Sequence, residues 1–155
     1  MVEIYFIGKT MKYFKIDEFL KTSTGLDNKP NKEELNNILN LMLFMDAVRE
    51  SWTLICNKNN WGSGAIVVNS GFRSEAVNNA VGGSPTSEHR LGFACDIEPK
   101  NGRNKEFFEF MVQYLKDKNF SQLINEKPDK NNVPSWIHFS LNGLKGFRRQ
   151  ILTVW

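Results

Sequence analysis

Gly83-Ser84-Pro85-Thr86-Ser87-Glu88-His89-Arg90-Leu91-Gly92 runs directly into Phe93-Ala94-Cys95-Asp96-Ile97. The first ten residues are polar and bounded by glycine, so they read as a loop. The next five are apolar except for Asp96, so they read as a buried strand with one carboxylate set into it. A carboxylate among apolar neighbours is costly to bury unless it is paired or bound to a metal. Side chains alternate along a strand, so Ala94 and Asp96 share one face while Cys95 and Ile97 pack into the core. The strand thus has a core face and a chemical face, and it follows a loop that carries His89.

Upstream of this stretch, Asn31 reads as a helix N-cap with Glu34 three residues later. Leu35, Ile38, Leu39, Met42 and Met45 then recur with helical spacing, which predicts a core-packing helix as far as about Glu50. Tyr13 to Leu20 has weaker helical spacing, and Thr22 to Pro30 reads as a loop. Ala65 to Val68 is a short β-branched strand. Ser74 caps a helix through Ala80 that Gly82 and Gly83 end. Downstream, Phe107, Phe108, Met111 and Leu115 mark a helix over Asn104 to Lys118. Phe120 to Ile124, Trp136 to Leu141 and Gln150 to Trp155 read as the last strands. Helices come first and strands dominate later, so the expected class is α+β, with helices packed on a mostly antiparallel sheet. With no internal repeat and no long linker, residues 1–155 are expected to form one domain, with Val2 to Ile7 adding a short strand within residues 1–11.

Composition narrows the function classes. Twenty Lys and Arg against 17 Asp and Glu leave a net charge of +3, spread along the chain rather than clustered in a stripe. No aromatic platform is interleaved with basic residues, so a nucleic-acid partner is not expected. The basic run Lys145-Gly146-Phe147-Arg148-Arg149 reads as a turn and a solvated strand edge. No apolar run approaches the roughly 18 residues of a membrane helix, so membrane insertion is not expected either. Met1 to Thr10 lacks a basic leader and has Glu3 inside its apolar run, so it does not read as a signal peptide. Action outside the cytoplasm would then need another export route. Cys56 and Cys95 are too few for a disulfide framework and read as buried thiols. The chain is expected to be a monomer.

The two histidines of the chain carry the candidate chemistry. His138 lies in Trp136-Ile137-His138-Phe139-Ser140, where alternation puts Trp136, His138 and Ser140 on one face. His89, Asp96 and His138 would supply two imidazoles and one carboxylate, the donor set of a catalytic zinc site with an open fourth position. On spacing alone the same residues also fit two separate surface histidines and a strand Asp paired with a Lys or Arg. No HExxH or CxxC motif is present to decide between them.

A wider pattern bears on that choice. Ser70-Gly71-Phe72-Arg73-Ser74, Val77-Asn78, Val81-Gly82-Gly83, Ser87-Glu88-His89, Gly92, Ala94, Asp96-Ile97 and Trp136-Ile137-His138-Phe139-Ser140 together resemble the signature of the zinc D-Ala-D-Ala peptidase family. The resemblance covers nearly everything after about Met11 and is nearest to the small carboxypeptidase-like subgroup of phages and prophages. It implies the zinc D-Ala-D-Ala peptidase and hedgehog-like fold, a Zn2+ cofactor held by His89, Asp96 and His138, and hydrolysis of a peptide bond in peptidoglycan stem peptides. The bond would be the one cut by a D-Ala-D-Ala carboxypeptidase or by an L-Ala-D-Glu endopeptidase, at the cell wall or as part of a phage particle. The resemblance makes Arg73 the group that polarises the substrate carbonyl, in place of a purely structural ion pair. It makes Ser87 a substrate or loop contact.

Many members of that family place an acidic general base three residues before the last zinc histidine, where this chain has Ser135. A serine hydroxyl is no base near neutral pH without help. Glu126 is the replacement nearest in sequence. If Gln122 to Glu126 pairs antiparallel with the His138 strand, Gln122 and Glu126 both reach its chemical face. Trp136 would line the substrate cleft. Glu88, adjacent to a ligand in sequence, is expected to point away from the metal. The alternative is a non-catalytic zinc module that binds peptidoglycan or serves as a virion part, as expected if the base is missing.

Overall fold

The protein is described by a computed structural model, which describes residues 11–155. The strand expected over Val2 to Ile7 lies outside the described residues. A short helix, α1 (Ile16–Leu20), and a long one, α2 (Lys32–Asn59), precede the first strand, β1 (Ile66–Ser70). Then follow α3 (Glu75–Ala80), a 3-10 turn (Glu88–Leu91), β2 (Ala94–Pro99), α4 (Asn104–Tyr114), β3 (Gln122–Glu126), β4 (Trp136–Ser140) and β5 (Gln150–Val154). The five strands form one sheet in the order β1-β2-β4-β3-β5. All neighbours are antiparallel except β3 and β5, so the α+β reading with a mostly antiparallel sheet holds.

Helix α2 begins as its sequence predicts. Asn31 accepts a hydrogen bond from the Glu34 amide at 2.8 Å, and the Glu34 carboxylate accepts one from the Asn31 amide at 2.9 Å, a complete capping box. The helix does not stop near Glu50 but continues to Asn59, where Asn60 turns into the left-handed region at φ 56°. The extension follows the same stripe: Val48, Trp52 and Cys56 recur at intervals of four and are all fully buried. Helix α4 is shorter than its apolar spacing predicts, ending at Tyr114 while Leu115 still packs into the core.

Alternation along the strands sorts the sheet into two faces. Cys95, Ile97, Ile137, Phe139 and Leu123 turn inward and are fully buried against α2 and α4. Phe139 stacks on Phe44 of α2 at 5.2 Å, and Trp52 meets Phe107 of α4 edge-on at 5.2 Å. The opposite face carries the polar residues, and the pairing lines them up. Asp96 lies opposite His138, His138 opposite Ile124, and Trp136 opposite Glu126. An irregularity in β1 between Val68 and Ser70 places Ser70, not Asn69, opposite Asp96. Bulges of this kind re-aim a side chain toward a site.

Candidate metal centre

Three separate pieces of chain deliver the candidate donors. Asp96 and His138 come from adjacent strands and are held side by side by the sheet. His89 comes from the 3-10 turn, which packs against the start of α2. There Asn37 donates to the Leu91 carbonyl at 2.9 Å. Gly92 closes the turn at φ +82°, and a Cβ at that position would meet the Glu34 carbonyl oxygen at 2.7 Å. Only glycine combines that backbone angle with so close an approach. The turn is tied to the loop after β1 by the Arg73 amide, which donates to the His89 carbonyl at 3.0 Å.

The ligand atoms of His89, Asp96 and His138 lie within 4.8 Å of one another. Asp96 Oδ1 is 3.4 Å from His89 Nε2 and 3.1 Å from His138 Nδ1. His89 Nδ1 is 2.8 Å from the Gly71 carbonyl oxygen. A carbonyl can only accept, so Nδ1 carries the proton and Nε2 turns its lone pair toward the carboxylate. Burial also pushes the His89 pKa below its ordinary value, outweighing the pull of Asp96, so the ring is held neutral. A lone pair facing an ionised oxygen in a buried site needs a cation between them. The donor set fits such an ion. Neutral imidazole and carboxylate are zinc ligands, and the Gly71 carbonyl fixes the His89 tautomer as an outer partner does at zinc sites.

The charge around this point is ordered. Burial pushes the Asp96 carboxyl upward, but the imidazoles of His138 and His89 beside it outweigh that and hold the carboxyl below its ordinary range. The other oxygen, Oδ2, accepts from Arg73 Nη2 at 3.3 Å. Arg73 Nε donates to Ser70 Oγ at 3.1 Å, so the shifted register of β1 supplies a rest for the guanidinium. Asn78, 1% exposed on α3, donates to the Ser84 carbonyl at 2.8 Å and places its oxygen 3.5 Å from Arg73 Nη1.

These groups line one open cleft of about 570 Å³. Arg73, Ser87, His89, Asp96, Gln122, Glu126, Trp136 and His138, the residues singled out in the sequence, all lie on its wall. Ser87 caps the 3-10 turn, accepting from the His89 amide at 3.3 Å. Gln122 donates to Gln150 on β5 at 3.0 Å. Glu126 shares the sheet face of His138, and burial, with the Asp96 charge behind it, pushes its pKa above the ordinary carboxylate value. Ser135 points elsewhere: its hydroxyl donates to the Lys127 carbonyl at 2.6 Å and closes the 127–134 loop. That loop is braced further by Asp129, which accepts from the Asn131 and Val133 amides.

The C-terminal basic run departs from its reading as a solvated edge. Arg148 is half-buried, and its guanidinium reaches Glu88 Oε1 at 2.6 Å. Leu144, Lys145 and Arg148 extend the cleft wall. Glu88, placed beside the candidate ligand His89 by sequence, turns its carboxylate to Ser140 and Arg148. Neither partnership is visible in the sequence, because the residues lie 52 and 60 positions apart.

A helix-backed sheet that offers two imidazoles, a carboxylate and a poised guanidinium to an open cleft defines the class of metal-dependent hydrolytic sites. Comparison with known proteins supplies the family. The model described as Peptidase M15 matches residues 12–140, and the chain belongs to that family. Among curated relatives, the zinc D-Ala-D-Ala carboxypeptidase of Streptomyces albus G is 30% identical over 79 residues. That match covers 51% of this chain and 29% of the relative, so the chain spans under a third of the relative's length.

Proposed function

We propose that this chain is a zinc peptidase that hydrolyses a peptide bond in peptidoglycan stem peptides, in a wall-degrading role of bacterial or phage origin. The observation that carries the metal is the meeting of His89 Nε2, His138 Nδ1 and Asp96 Oδ1 at one buried point whose chemistry calls for a cation. The observation that favours catalysis over mere binding is Glu126. It is a carboxylate on the donor face of the sheet, lining the same cleft although Ser135 is turned away. The peptide substrate rests on the likeness to the D-Ala-D-Ala carboxypeptidase.

His89, Asp96 and His138 would hold the ion. Bound there, zinc would supply Lewis-acid polarisation and bring the pKa of a water down to about 7. Arg73 presents a fixed guanidinium to the oxygen of the scissile carbonyl and stabilises the charge that develops on it. Burial lowers the Arg73 pKa and Asp96 counters that effect, so the cation is retained and oriented. Glu126 takes the proton of the attacking water and delivers it to the leaving amine. Its raised pKa brings it nearer the operating pH, where a general base works best. Trp136 and Gln122 flank Glu126 on the cleft wall and contact the peptide, while Ser87 braces the His89 turn.

The test is a digest of purified muropeptides with and without a chelator, read by mass spectrometry. The expected result is a chelator-sensitive loss of a terminal D-Ala or cleavage at L-Ala-D-Glu. No cleavage by zinc-loaded protein across several wall types would overturn the enzymatic reading in favour of a binding module.

A further inference from the structure

The sheet fixes the spacing of Asp96 and His138, but His89 stands on a turn outside the ladder. The side chain next to it in sequence, Glu88, crosses back to β4. Its Oε1 accepts from Ser140 Oγ at 3.1 Å, and Ser140 lies two residues from His138 on the same face. The same oxygen accepts from Arg148 Nη2 at 2.6 Å, and Arg148 Nε donates to Ser121 Oγ at 3.2 Å. Glu88 is only 7% exposed, so its charge is held in a setting where it needs a partner. Arg148 is that partner, and it comes from beyond the residues that the family model matches. The fit is close: a Cβ on Gly143 would lie 1.8 Å from Glu88 Oε2.

We propose that Glu88, Ser140 and Arg148 form a positioning clamp that sets the His89 donor against the His138 donor, with Arg148 as its key. The inference rests on the metal reading of the three donors. Arg148 acts through Glu88 and is a positioning residue. It holds the carboxylate in place, and the carboxylate holds the turn to β4. Outer partners that orient metal ligands are typically worth 10- to 100-fold in metal affinity. Without Arg148, the buried carboxylate loses its counter-charge and the turn loses its tie to the strand.

The test measures zinc affinity by competition with a chromogenic chelator for the wild type and for Arg148→Met, Ser140→Ala, Glu88→Gln and the double variant Glu88→Gln/Arg148→Met. Folding of each metal-free form is checked by circular dichroism. The expected result is a 10- to 100-fold loss for Arg148→Met and a smaller loss for Ser140→Ala. In the double variant much of the affinity returns, because the glutamine still accepts from Ser140 and leaves no charge unpaired. If Arg148→Met does not fold, the double variant against Glu88→Gln alone reads the effect of Arg148, and Ser140→Ala reads the tie to β4. Zinc affinity within twofold of wild type in every folded variant overturns the clamp while leaving the metal site intact. A wild type that binds no zinc overturns the metal reading and the clamp together.

Discussion

Glu126 and His89 carry the sharpest residue-scale expectations. Glu126 is the carboxylate that lines the cleft on the donor face, so Glu126→Gln is expected to cut turnover by about 10²- to 10⁴-fold. Zinc content, measured by metal analysis, stays at the wild-type level, because the side chain is not among the three donors. A variant that keeps full activity would remove Glu126 from the mechanism. For His89 the sign follows from burial. The folded state depresses its pKa, so the unfolded chain binds the proton more readily. In the metal-free protein that contribution to stability is present above about pH 6.5, the ordinary imidazole value, and is lost as pH falls below it. Protons also compete with metal for the ring. A depressed pKa therefore shifts zinc release by His89 protonation to a lower pH than an ordinary histidine would give. A zinc-retention titration read by a chromogenic chelator checks this, and release already above pH 6.5 would contradict it.

At the scale of elements, α2 does more than cover the sheet. Its first turns seat the 3-10 turn that carries His89, and its last turns pack Trp52 and Cys56 under the sheet. Trp52→Ala is expected to cost about 3–5 kcal/mol, the range for emptying a fully buried aromatic site. A denaturant midpoint measures that loss. A cost under about 1 kcal/mol would mean that the C-terminal half of α2 is not part of the core. That half was hard to read because Ser51, Thr53 and Leu54 blur the pattern, although Val48, Trp52 and Cys56 continue it at intervals of four.

At the scale of the molecule, a metal held by the three candidate donors would be coupled to the fold. The donors come from β2, β4 and a turn, so an ion bound to all three ties together parts that lie far apart in the chain. A ligand that binds only the folded state adds RT ln(1 + [L]/Kd), about 4.1 kcal/mol at a thousandfold excess over Kd. A chelator is therefore expected to lower the melting temperature by about 2–4 °C per kcal/mol lost, and added zinc to restore it. An unchanged melting curve would argue against a tightly held ion. Among the described residues no helix is long and apolar enough to cross a membrane.

Local features follow from residues close together along the chain. Helix caps at Asn31 and Ser74 and the alternation that sends Asp96 and Cys95 to opposite faces are set by neighbours within a few residues. The family pattern around Arg73, His89, Asp96 and His138 is likewise legible along the chain. Tertiary structure decided what depends on register and on partners distant in the chain. Spacing alone left His89, Asp96 and His138 open to two readings, because a triad exists only once Asp96 pairs opposite His138 and the turn folds back over the sheet. The same holds for the slip that brings Ser70 opposite Asp96, and for Glu126 facing the donors. Arg148 is the clearest case: in sequence it sits in a basic run next to a glycine turn and reads as solvated. Only the return of the chain beside β3 carries it to Glu88, since an ion pair across 60 residues leaves no periodicity to read.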